Sequence, residues 1–237
     1  MLVLFDIDGT LLLSEGVGMG SIEAAGRRLH GPAFRASDVK PGGGIDPVLL
    51  REVLARNGVE PTRQAIQDLR RAYEAELAEA LSVRNTVQAL PGAAELVARV
   101  AQAGDMTTGL LTGNYEATGS LKLTHGGFAV ETFEIRVWGD DSPECPFEGD
   151  PRREHLPEVA RDRYHARFER SLRDRDVVII GDTERDIEAA RAVGARVIAV
   201  STGHVPAGTL ESFGPDRVIE SLEDTASILA WIREEAA

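Results

Sequence analysis

The chain has 237 residues, with a hydrophobic fraction of 43% and a charged fraction of 27%. That is globular composition sufficient for one or two domains, and it excludes a disordered or fibrous chain. Acidic residues outnumber basic ones 39 to 26, for a formal net charge of −13, so neither a nucleic-acid surface nor an anionic-membrane surface is expected. Cys145 is the only cysteine, which rules out an intrachain disulfide. No apolar run reaches the ~18 residues of a membrane span. The N-terminus has no basic or long apolar region of the signal-peptide kind, and a cytoplasmic protein is expected.

In chain order, Leu2–Phe5 is a short, wholly apolar run, the pattern of a buried parallel strand. It ends abruptly in Asp6-Ile7-Asp8-Gly9-Thr10. Residues from about Ser14 to Ala89 carry no strand signal and read as three helices. The first covers Val17–Leu29. The second opens at Asp46-Pro47, an N-cap followed by proline, and stops at Asn57-Gly58. The third starts near Pro61 and places Ile66, Leu69, Tyr73, Leu77 and Leu81 on one face. Pro91-Gly92 then starts a helix over Ala93–Ala103.

Further strands follow at Leu110–Thr112, Val177–Ile180 and Arg196–Val200, ending in Gly113-Asn114, Gly181-Asp182 and Ser201-Thr202-Gly203. Residues 138–151 read as a solvated acidic loop, followed by an arginine-rich helix from Arg152 to Leu172. Strands alternating with helices imply parallel βα units. The expected fold is therefore α/β, a Rossmann-like parallel sheet with an inserted all-helical cap. The core is assigned to residues 1–13 and 90–237, and the cap to 14–89.

Three strand ends carry chemistry. Asp6 and Asp8 lie two residues apart beside a glycine that permits a sharp turn. Carboxylates this close repel unless a cation neutralises one, leaving a nucleophile and a proton carrier. Thr112-Gly113-Asn114 combines a hydroxyl with free amides at a helix start, which suits a phosphate or a plain helix cap. Asp182 and Asp186 stand at a strand end and one helical turn beyond it. A few hard oxygen ligands with room for water suit Mg2+, although acids on a first helical turn are also common for electrostatic reasons.

Together, in this order, these motifs resemble the haloacid dehalogenase-like hydrolase superfamily over nearly the whole chain. Asp6-Ile7-Asp8-Gly9-Thr10 matches its first motif, Thr112-Gly113-Asn114 its second, and Gly181-Asp182-Thr183-Glu184-Arg185-Asp186 its fourth. The helical insertion is similar to the cap of the phosphoglycolate-phosphatase-like branch. Gly43-Gly44-Ile45-Asp46 is similar to that branch's cap turn but departs from it, since a basic residue and a threonine are usual where Gly44 and Ile45 stand.

The resemblance implies a Mg2+-dependent phosphatase acting on a small phosphorylated metabolite. Asp6 is then the nucleophile, and Asp8 the acid and base. The metal set is Asp6, the backbone carbonyl of Asp8, and Asp182, with Asp186 positioning Asp182 or a metal-bound water, and the phosphate-binding set is Gly9, Thr10, Thr112, Gly113, Asn114 and Lys122. Lys122 is expected to supply the third motif's cation. It is one of two lysines, with Lys40, in a chain whose other basic residues are arginines, and a compact point charge suits that role. Arg152 and Arg153 are the alternatives. A phosphomutase would share these core residues; a dehalogenase would need neither the second acid nor the metal. A phospho-receiver or a degenerate binding module is the non-enzyme alternative.

Overall fold

The computed structural model describes residues 1–39, 42–143 and 149–234. Lys40, Cys145 and the middle of the acidic loop lie outside them. The described chain runs β1 (Leu2–Phe5), β2 (Leu12–Leu13), α1 (Val17–His30), α2 (Asp46–Arg56), α3 (Arg63–Val83), β3 (Gln88–Ala89), α4 (Ala93–Gln102), β4 (Thr107–Leu111) and α5 (Glu116–His125). It continues through β5 (Ile135–Val137), α6 (Leu156–Phe168), β6 (Val177–Gly181), α7 (Glu184–Ala192), β7 (Arg196–Val200), α8 (Ala207–Ser212), β8 (Arg217–Ile219) and α9 (Thr225–Glu234).

Six strands form one parallel sheet in the order β5-β4-β1-β6-β7-β8. β1 is central, with Leu2 opposite both Thr107 and Val177, which is why its four residues are all apolar and fully buried. Strand alternation divides the core between two faces. Leu2, Leu4, Val177, Ile179 and Val197 pack with Leu156 and Ala160 of α6 and Ile187 of α7. Val3, Phe5, Val178, Ile180 and Ile198 pack with Leu96 of α4 and Ile228 of α9. The latter cluster continues without a break into the three insertion helices, through Ile22, Leu50, Leu69, Tyr73 and Leu77. The two-stranded ribbon β2-β3 lies where the chain leaves for these helices and returns from them.

The order β4-β1-β6 sets the carboxyl ends of these three strands side by side, where open α/β sheets place their sites. Several expectations shift in detail. β4 starts at Thr107, because two threonines extend its pairing along β1 to Leu2 and Val3. The Arg152–Leu172 helix is instead a 3-10 turn (Arg153–His155) leading into α6, with Pro157 near its start and Glu169 in the left-handed region at its end. The acidic loop is not wholly solvated, since Trp138 and Ser142 are buried. α2 is capped by the backbone at Ile45, so Asp46 is its first residue and not its N-cap. The Asp46 side chain instead accepts from the Tyr115 amide at the start of α5.

Candidate active site

β1 ends at Phe5, and Asp6 follows with its amide donating to Ile180 O at 3.0 Å. Gly9 closes the ensuing turn at φ +82°, and a Cβ there would meet Asp182 Oδ2 at 2.2 Å. Glycine is therefore required by both conformation and space. The turn consumes its own amides: Gly9 N donates to Leu12 O, and Thr10 N to Ile7 O. The buried Thr10 hydroxyl points to Asp182 Oδ1 at 3.4 Å.

Asp6, Asp182 and Asp186 form one buried cluster, each offering an oxygen within 4.8 Å of the others. Asp186 is fixed by its helix start: its Oδ2 accepts from Thr183 N at 3.1 Å and Thr183 Oγ1 at 2.8 Å, a capping box on α7. That leaves Oδ1 for the site, where Arg153 Nη2 donates to it at 2.6 Å. The same Nη2 lies 3.0 Å from Asp6 Oδ1, yet Asp6 Oδ1 is a buried oxygen with no aligned hydrogen bond. A buried carboxylate oxygen without a hydrogen bond, among three converging acids that one guanidinium cannot neutralise, fits a hard divalent cation such as Mg2+.

Electrostatics express the same crowding. Burial first, then Asp186 and Asp6, push Asp182 up to about 9. Burial also raises Asp6, Arg153 opposes it, and Asp186 and Asp8 add to the rise, giving about 6.

Asp8 turns away from this cluster. Its Oδ2 accepts from Lys122 Nζ at 2.7 Å and Asn114 Nδ2 at 2.9 Å, and its Oδ1 from Ser14 Oγ at 3.0 Å. Burial raises Asp8, but the Lys122 charge and these hydrogen bonds outweigh it and hold the carboxyl below its usual range. Lys122 reaches the site because α5 starts only at Glu116, about two helical turns before it. Its ammonium also donates to Asn114 Oδ1 at 2.8 Å, and Asn114 Nδ2 to Thr112 Oγ1 at 2.9 Å. The chain Thr112–Asn114–Lys122–Asp8 is thus one hydrogen-bonded network.

The insertion closes over these groups. Asp46 N donates to Gly113 O at 2.8 Å, and a Cβ on Gly113 would meet Gly44 O at 1.9 Å. Arg153 Nη1 donates to Gly43 O at 2.9 Å. Arg70 of α3 lies over the Tyr115 ring at 3.9 Å and pairs with Asp140 at 2.9 Å.

Of the residues singled out in the sequence, Asp6, Asp182 and Asp186 come together, and Asp8, Thr112, Asn114 and Lys122 form the adjoining group. Gly9, Thr10 and Gly113 shape the loops around them. Arg152 is outside, exposed and paired with Asp150. Arg153, ranked behind Lys122 in the sequence, is buried among the acids, and the acidic loop before it was the signal for it.

A family model described as haloacid dehalogenase-like hydrolase matches residues 1–194. The chain is 26% identical over 227 residues to the phosphoglycolate phosphatase of Pectobacterium atrosepticum, covering 95% of this chain and 90% of that one. It is 29% identical over 220 residues to that of Cereibacter sphaeroides, covering 90% and 91%. Its fold matches the crystal structure of a hydrolase from Pseudomonas syringae with a TM-score of 0.72 at 22% identity, over 98% of both chains.

Proposed function

The chain belongs to the haloacid dehalogenase-like hydrolases, and from that footing we propose that it is a Mg2+-dependent phosphatase. Its substrate is a small phosphorylated metabolite, hydrolysed through an aspartyl-phosphate on Asp6. One observation carries the reading: buried Asp6, Asp182 and Asp186 converge at adjacent strand ends, with Asp8 beside them on Lys122. The curated relatives, matched along most of their length and named phosphoglycolate phosphatase, support it.

Asp6 attacks phosphorus, forming a new P–O bond as the ester P–O bond breaks. With its pKa raised only to about 6, Asp6 is mainly ionised at neutral pH, the nucleophilic form. Asp8 protonates the leaving oxygen and, in the second step, takes a proton from the attacking water. Lys122 is shared between Asp8 and the incoming phosphoryl oxygens. As those oxygens draw the ammonium, Asp8 loses the contact that held its pKa down and gains affinity for the proton it must carry. The Thr112 hydroxyl accepts from Asn114, so its own proton is free for a phosphoryl oxygen. A divalent cation held by Asp6, Asp182 and Asp186 would offset substrate charge and orient the phosphoryl group. Residues 14–89 act as the lid that keeps water out.

A panel of phosphate monoesters with Mg2+, run beside excess-EDTA controls, tests the reading. Metal-dependent phosphate release that disappears in Asp6→Asn is expected. Undiminished turnover in that variant, or no release from any ester, contradicts it.

A further inference from the structure

We propose that Asp46 selects the leaving group, accepting a hydrogen bond from a neutral, hydroxylated one and turning away one that carries a carboxylate next to the ester carbon. The inference rests on the phosphatase reading and narrows its substrate class.

The leaving oxygen must lie against Asp8, its proton donor. Asp6, Asp182 and Asp186 occupy the phosphoryl side, so the rest of the substrate extends to the other side, where Lys122 and Asn114 hold Asp8. The insertion meets that side at Asp46, whose charge is felt by both Lys122 and Asp8. Its position is set by the core. Asp46 N donates to Gly113 O, and Tyr115 N donates to Asp46 Oδ2 at 3.1 Å. The Thr118 hydroxyl supports Oδ2 at 3.5 Å. Among the described residues Oδ1 has no hydrogen-bond partner, which leaves this anchored, half-buried residue a carboxylate oxygen with acceptor capacity to spare. A substrate hydroxyl meets it in a charge-assisted hydrogen bond.

A substrate carboxylate in that place meets the opposite. The turn from Gly42 to Ile45 brings no cationic side chain. Each described cation around the site is already paired: Lys122 with Asp8, Arg153 with Asp6 and Asp186, Arg70 with Glu74 and Asp140. A second negative charge on the substrate would face Asp46 without a partner of its own, a discrimination by repulsion.

The test compares two esters that differ only in this group, 2-phosphoglycolate and 2-hydroxyethyl phosphate. kcat/KM is measured with saturating Mg2+ at about pH 8, where Asp46, pushed up to about 6 by burial, is ionised. Wild type should favour 2-hydroxyethyl phosphate. Asp46→Asn, and Asp46→Ser as a second variant, should shift the ratio toward 2-phosphoglycolate by about tenfold or more. A purely structural role for Asp46 would lower both rates together and leave the ratio unchanged, which overturns the proposal while the phosphatase reading stands. A wild-type preference for 2-phosphoglycolate overturns it in the same way. Absence of Mg2+-dependent hydrolysis of either ester, and of p-nitrophenyl phosphate, overturns both.

Discussion

Lys122 and Arg153 divide the positive charge of the site, one on Asp8 and the other between Asp6 and Asp186. In the proposed mechanism each is a preorganised charge beside the place where phosphoryl charge would develop, in a protein of net charge −13. Lys122→Ala and Arg153→Ala should therefore each lower kcat/KM by about 100-fold or more, while Arg152→Ala, altering an exposed pair, should have little effect. Steady-state kinetics on one ester checks all three. The acids were legible in the sequence, because strand ends followed by glycine place few residue types there by accident. The choice between adjacent Arg152 and Arg153 was not. It depends on which of two neighbouring side chains the 3-10 turn directs inward, and no local periodicity encodes that. The opposite directions of the two aspartates of the first motif, Asp6 toward Asp182 and Asp186 and Asp8 toward Lys122, were equally hidden. They stand two apart, but the chain leaves the strand at Phe5, so strand alternation no longer governs where they point.

At the scale of elements, the insertion meets the core through the turn before α2, not only through the apolar contacts of α1 and α3. Gly113 is the contact most sensitive to a single methyl group, because a Cβ there would meet backbone at Gly44, which cannot swing aside. Gly113→Ala should destabilise by about 1–3 kcal/mol as an overpacked site. It should also open amides 43–46 to hydrogen exchange before those of β1. Uniform exchange across both regions would count against a seated turn. The three insertion helices were legible because their apolar spacing is helical; Ile66, Leu69, Tyr73, Leu77 and Leu81 are indeed all buried. Short β5 and β8 were not, since three residues at the edge of a sheet carry too little pattern. The capping expectation at Asp46 was reasonable chemistry overridden by tertiary structure, because the Tyr115 amide competes for the same carboxylate.

For the whole molecule, a cation bound at the acidic cluster would make stability depend on metal and pH together. Burial, with Asp186 and Asp6 beside it, pushes the Asp182 pKa up to about 9 in the folded state, against 3.8 for a free side chain. Between those values the unfolded chain has given up a proton that the folded chain keeps, so metal-free stability falls as pH rises through this window. A divalent cation held by Asp6, Asp182 and Asp186 would remove the repulsion and restore what was lost. Thermal denaturation should show Mg2+ raising Tm more at about pH 8.5 than at about pH 6, and Asp182→Asn should abolish that difference. An equal Mg2+ shift at both values would contradict a cation bound at these acids.

In the proposed mechanism phosphate passes covalently through Asp6. The most direct measurement is an acid quench of Asp8→Asn during turnover of an aryl phosphate with Mg2+, followed by peptide mass spectrometry. An aryl leaving group departs with little help from an acid, while the second step still lacks its base. One phosphoryl group should accumulate on the peptide that carries Asp6, and should be absent when EDTA is added. A quenched protein with no phosphoryl group on that peptide, from an enzyme whose wild type turns over the same ester, would contradict it.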